Sequence, residues 1–93
     1  MAEVRLARKA VKDLDPLTDK ATQRVVTALE LLARDPESRS LDVKPLSGRK
    51  PWRRLRVGDH RVVFRLSKGG NVLLVARVVD RKYLERAIST LPD

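Results

Sequence analysis

"WRRLRVGDHRVVFRL", residues Trp52–Leu66, decides how the rest of the chain is read. Gly58-Asp59 at its centre is a two-residue loop with glycine first, which marks a hairpin turn of the primed kind. Trp52–Val57 and His60–Leu66 therefore read as antiparallel strands. Alternation of side chains along a strand then sorts them into two faces. His60, Val62, Phe64 and Leu66 share one face with Leu55 and Val57, and that face needs an apolar cover. Arg61, Val63 and Arg65 fall on the other, together with Arg54 and Arg56, and with Trp52 at its border. The stretch holds five arginines in fifteen positions. Like charges facing one another across a sheet are destabilising, so such a face is either merely solvated or waits for an anion.

Working outward, residues Glu3–Leu6 suit a short first strand. Ala7, Ala10, Val11 and Leu14 fall on one face of a short helix that ends near Pro16. Thr18 followed by Asp19 is a cap with an acid in the first turn. It opens a longer helix to about Arg34, with Ala21, Val25, Ala28, Leu29 and Leu32 as its apolar stripe. Asp35-Pro36 ends this helical hairpin. Residues Pro36–Pro51 read as a polar loop anchored by Leu41, Val43 and Leu46. Beyond the arginine-rich hairpin, Gly69-Gly70 makes a second tight turn. Asn71–Val79 contains the run VLLVARVV, expected of a central strand covered on both faces. Ala76 and Val78 are assigned to its core face, and Arg77, Val79 and Arg81 to the arginine face. Tyr83, Leu84, Ala87, Ile88 and Leu91 suit a last short helix. The expected fold is α+β: a helical hairpin on one face of a mainly antiparallel twisted sheet of about four strands, in the order β-α-α-β-β-β-(α), within one domain over residues 1–93.

The totals narrow the function. A chain of 93 residues buries only about 60–65% of the surface its unfolded form exposes, so a partner is expected to contribute to its stability. No apolar run reaches the roughly 18 residues of a membrane span, and MAEVRLARK lacks the apolar stretch of a signal peptide. No cysteine and a single histidine give no disulfide framework and no ordinary zinc or haem ligand set. The expectations are a cytoplasmic protein, no membrane, no metal and no cofactor. The net charge is +9, and between Lys44 and Lys68 nine basic residues face one acid, Asp59. One segment thus supplies nearly all of the excess, which points to a polyanionic partner: RNA, DNA or an acidic protein segment. Guanidiniums grip phosphates bidentately, and an aromatic can stack on a base. The candidates for phosphate binding are Lys50, Arg53, Arg54, Arg56, Arg61, Arg65, Arg77 and Arg81, with Trp52 beside them.

"PLSGRKPWRRLRVGDHRVVFRL" (Pro45–Leu66) and the later "RVVDR" (Arg77–Arg81) resemble the RelE/ParE superfamily of bacterial toxins from type II toxin–antitoxin systems. That family commonly shows a Leu-x-Gly loop followed by W-R-x-R-x-G-D-Y-R-x-x-Y; here His60 and Phe64 stand in place of its tyrosines. The resemblance spans nearly the whole chain. It implies a RelE-like fold and one of two activities: ribosome-dependent cleavage of messenger RNA, or inhibition of DNA gyrase. A superfamily member that only binds an antitoxin or RNA is the third alternative. It also implies a small antitoxin with an acidic or amphipathic segment, joined to the toxin in a hetero-oligomer. By position, Arg54, Arg61 and Arg81 match the family's basic catalytic set. The family's C-terminal tyrosine usually falls near positions 85–87, where this chain has Glu85, Arg86 and Ala87, so Tyr83 is the nearest candidate.

The implied chemistry is attack of a 2′-hydroxyl on the adjacent phosphorus, giving a 2′,3′-cyclic phosphate without a metal. Guanidiniums suit the phosphorane but not proton transfer, because they stay protonated at neutral pH. His60 has the right intrinsic acidity, yet alternation sends it to the helix-packed face. Glu85 on the last helix and Asp80 beside Arg81 are lesser candidates.

Overall fold

The computed structural model describes residues 1–92. The hairpin forms as its sequence dictates: β3 (Arg53–Val57) and β4 (His60–Leu66) pair antiparallel, with Val57 opposite His60 and Leu55 opposite Val62. Gly58 sits at φ +59° in the turn between them, a left-handed conformation that a side chain would strain. β5 (Val72–Asp80) lies antiparallel on the other side of β4. β1 (Glu3–Leu6) runs parallel along β5, and β2 (Asp42–Pro45) runs antiparallel along β3. The sheet therefore has five strands, ordered β1-β5-β4-β3-β2, where the sequence suggests about four. The extra strand is β2, inside what reads as a loop. Its four residues, DVKP, turn only Val43 toward the core, and an edge strand ending in proline leaves little periodic signal.

α1 (Arg8–Leu14) and α2 (Asp19–Arg34) make the expected helical hairpin. The Thr18 hydroxyl accepts a hydrogen bond from the Ala21 N–H at 3.1 Å and caps α2. Val25, Leu29, Leu32 and Ala33 of α2 and Ala10 of α1 pack on Leu55, Val62, Phe64, Leu73, Val75 and Val78 of the sheet. Phe64 and Leu32 are among the largest fully buried side chains, and each contributes on the order of 2–3 kcal/mol through burial. No described helix is long and apolar enough to cross a membrane.

The second sheet face holds a smaller core. Leu46, Trp52, Val63, Ala76 and Leu91 cluster there, with Leu74, Leu84 and Ile88 packed against them. After the 3₁₀ turn Arg81–Tyr83, α3 (Leu84–Ser89) folds back to cover this half of the face. Two readings are corrected here. Trp52 is on the arginine side of the sheet but only 4% exposed, so it is a floor and not a border platform for a base. Ala76 belongs with Trp52 and Val63 rather than with Val78. The cause is a β-bulge: Val63 pairs with Arg77 and Phe64 with Val75, leaving Ala76 as an extra residue. Simple alternation carries through such an insertion one residue out of step.

Candidate nucleic-acid interface

Register places the charges in two rows across the second face. Asp42 lies opposite Arg56, Arg56 opposite Arg61, and Arg61 opposite Val79. The next row runs Lys44, Arg54, Val63, Arg77. Two adjacent strands, β3 and β4, thus bring Arg54, Arg56 and Arg61 onto one patch. Arg81 joins them just past β5, where its backbone N–H donates to the Asp59 carbonyl of the hairpin turn at 2.9 Å. Arg61 is pinned from below. Its guanidinium donates to the Gly58 carbonyl at 3.0 Å and the His60 carbonyl at 3.1 Å.

The charges of Arg54, Arg56 and Arg81 all bear on Arg61. Partial burial lowers the pKa of Arg61, and the positive fields of Arg56, Arg54 and Arg81 lower it further. Asp42 is the one carboxylate whose field opposes this. It bonds Arg54 at 2.9 Å and approaches Arg56 at 4.0 Å. The Arg54 hydrogen bond in turn holds the Asp42 carboxyl below its ordinary pKa, with partial desolvation opposing and the charges of Arg54, Lys44 and Arg56 assisting. Such a set of preorganised donors binds tetrahedral oxyanions well.

The remaining candidates fall outside this patch. Arg77 points to the arginine face but is engaged by Asp13 of α1 at 2.8 and 3.1 Å. The same carboxylate accepts the Val78 N–H at 2.9 Å, so Arg77 locks α1 to β5 rather than waiting for phosphate. Arg65 lies over the Trp52 ring, 5.6 Å from its centroid. Arg53 pairs with Phe64 and so takes the helix-packed side of β3, exposed at its end. Lys50 sits with Pro45, Pro51 and Arg53 at the far loop. Sequence reasoning missed Asp42 and Lys44 as members of these rows, because the four-residue edge strand that carries them leaves little periodic signal.

Tyr83 is 47% exposed, with Lys82 and Arg86 over its ring at 5.4 and 5.8 Å. It shares a cleft of about 470 Å³ with His60, Asp13, Leu17 and Arg86, along the edge of β5. His60 is on the helix-packed face, as its alternation requires, opposite Asp80. His60 and Tyr83 thus line one cleft together, and none of Arg54, Arg56, Arg61 and Arg81 lines it. Asp80 caps the 3₁₀ turn by accepting the Lys82 N–H at 3.0 Å. Glu85 lies exposed in the first turn of α3.

Comparison with known proteins agrees with this architecture. Residues 4–84 match the family model described as the ParE toxin of type II toxin-antitoxin system, parDE. Among solved structures, the toxin–antitoxin complex RelBE2 from Mycobacterium tuberculosis is similar, with 29% identity over 86% of this chain and 98% of that one, at a TM-score of 0.70. The archaeal RelE–RelB complex from Pyrococcus horikoshii OT3 is similar at 24% identity, covering 86% and 94%, with a TM-score of 0.74. YafQ from E. coli strain BL21(DE3) shares the fold at 18% identity, covering 90% and 98%, with a TM-score of 0.71. No curated protein matches by sequence.

Proposed function

Since the chain belongs to the family of ParE toxins of type II toxin–antitoxin systems, we propose that its toxic act is metal-independent cleavage of messenger RNA on the ribosome, with the arginine patch holding the scissile phosphate. The observation that carries this reading is the ring of Arg54, Arg56 and Arg81 around Arg61 on an uncovered sheet face. In the reaction, the 2′-oxygen forms a bond to phosphorus and the bond from phosphorus to the 5′-oxygen breaks. The 2′-hydroxyl proton leaves to a base, and a proton is delivered to the departing 5′-oxygen. Arg61 and Arg81 neutralise the phosphorane, and removal of one such donor typically costs about 10²–10³ in rate. Arg54 and Arg56 bind the flanking backbone. Tyr83 is the candidate proton donor, and the ribosome supplies the in-line geometry that a proton-poor site lacks. The partner is a small antitoxin with an acidic or amphipathic segment. Its support is the net charge of +9 and the antitoxin present in the RelBE2 and RelE–RelB complexes.

One observation favours a second reading, inhibition of DNA gyrase without cleavage: His60 faces away from the arginines, and no histidine, tyrosine or glutamate belongs to the rows that carry them. Induced expression followed by 5′-end mapping of a translated message separates the two. Cleavage within the reading frame, lost in a folded Arg61→Ala, Arg81→Ala double variant, is the expected result. Intact message with accumulating gyrase-linked DNA breaks would replace the first reading with the second.

A further inference from the structure

We propose that Asp42 is a built-in, displaceable counter-ion of the arginine patch, and that it sets how tightly the patch takes a polyanion by holding Arg54 and Arg56 until a phosphate replaces it. The inference deepens the phosphate-binding reading and rests on it. Asp42 stands at the outer end of the row that contains Arg56 and Arg61. Its carboxylate reaches to Arg54 in the neighbouring row at 2.9 Å, and Arg54 also donates to the Asp42 backbone carbonyl at 3.2 Å. One acid therefore spans two guanidiniums of the patch, the partly buried Arg54 and the exposed Arg56.

The molecule contains a comparison that shows why this pair can exchange. Asp13 and Arg77 form a closed pair. Both side chains are largely buried, at 16% and 20% exposure, and Asp13 also accepts a backbone N–H. In the other pair the Arg54 side chain is equally buried, at 16% exposure, but Asp42 is 43% exposed, makes one short bond to its arginine and sits on a four-residue edge strand. Water and salt screen the half of the pair that Asp42 supplies, so it is held less firmly than a carboxylate buried with its partner. A phosphate offers its own oxygens to several guanidiniums at once, in charge-assisted bonds. The acid elsewhere on the hairpin, Asp59, lends its backbone carbonyl to Arg81, while Asp80 caps the 3₁₀ turn. Asp42, which bonds Arg54 and whose field reaches Arg61, is the carboxylate that a phosphate must displace.

The test is binding of a fully 2′-O-methylated single-stranded oligonucleotide, which cannot be cleaved, to the full chain at several salt concentrations. Asp42→Asn is expected to tighten binding by about three- to tenfold, the range for removing one charge about 6 Å away at an effective dielectric of about 40–80. The phosphate contacts are the same once Asp42 is displaced, so the salt slope should change by less than the roughly 0.7 of one whole contact. Asp42→Ala should behave alike, and Asp42→Glu should stay near wild type. Arg54→Ala added to Asp42→Asn should abolish the gain. Unchanged or weakened binding in both Asp42→Asn and Asp42→Ala, with unaltered circular dichroism, overturns the proposal. Arg61→Ala separates the two levels: if it weakens binding while the Asp42 variants do nothing, only the counter-ion role falls. If Arg61→Ala also does nothing, the patch itself is not the binding site, and the proposal falls with it.

Discussion

Gly58 shows how much can depend on one position. It takes φ +59°, and an added Cβ would lie 3.1 Å from the Arg24 guanidinium of α2. On its other side, its carbonyl accepts from Arg61. Gly58→Ala is expected to cost about 1–2 kcal/mol from the left-handed backbone alone, read as a lower urea midpoint. It should also weaken anion binding, because the anchor of Arg61 shifts. Asp42 gives a pH signature of known sign. Its folded pKa is depressed, chiefly by the Arg54 hydrogen bond. Its contribution to stability is therefore fully present above the ordinary carboxylate range and is lost as pH falls through the depressed folded value. Acid titration of stability should show a shallower decline in Asp42→Asn than in wild type; identical acid limbs would remove Asp42 from the account.

Among the elements, α3 has the most to answer for, because it divides one sheet face into a covered apolar half and an open charged half. Trp52, the single tryptophan, lies in the covered half with Ile88 of α3 against its cluster. Ile88→Asp should lift α3, shift Trp52 emission to the red and leave the far-ultraviolet spectrum nearly unchanged. Unshifted emission would mean that the floor stays dry without the helix. The elements also differ in how plainly the sequence announced them. The β3–β4 hairpin and α2 were legible because turn chemistry, capping and periodicity agree at Gly58, Thr18 and the Val25–Leu29–Leu32 stripe. β2 was not, since a short edge strand needs no periodic pattern. The inward seat of Trp52 was hidden because alternation gives the face but not what α3 later lays over it. For the site, alternation placed Arg54, Arg56 and Arg61 correctly. It could not foresee that Asp13, some 64 residues away in sequence, would claim Arg77.

At the scale of the whole molecule, a chain of net charge +9 carries unneutralised repulsion that bound anions relieve. Sulfate should therefore raise the thermal midpoint more than chloride at equal ionic strength. At about ten times its dissociation constant it would add about 1.4 kcal/mol, roughly 5–10 °C for a domain of this size. Arg61→Ala should remove most of the difference between the two salts, and an equal response would reduce the effect to general screening. The bulge at Ala76 bears on this molecule-wide field as well. Because Val75 and Arg77 already pair with consecutive residues of β4, excising Ala76 would leave every other side chain of β5 on its present side. What would go is the local coil that an inserted residue imparts to a ribbon, and with it the aim of Arg81. A protein shortened by that one alanine would keep its layers and its full complement of charge, and is expected to re-aim Arg81, one of the four cations of the patch, which weaker anion binding at unchanged net charge would reveal.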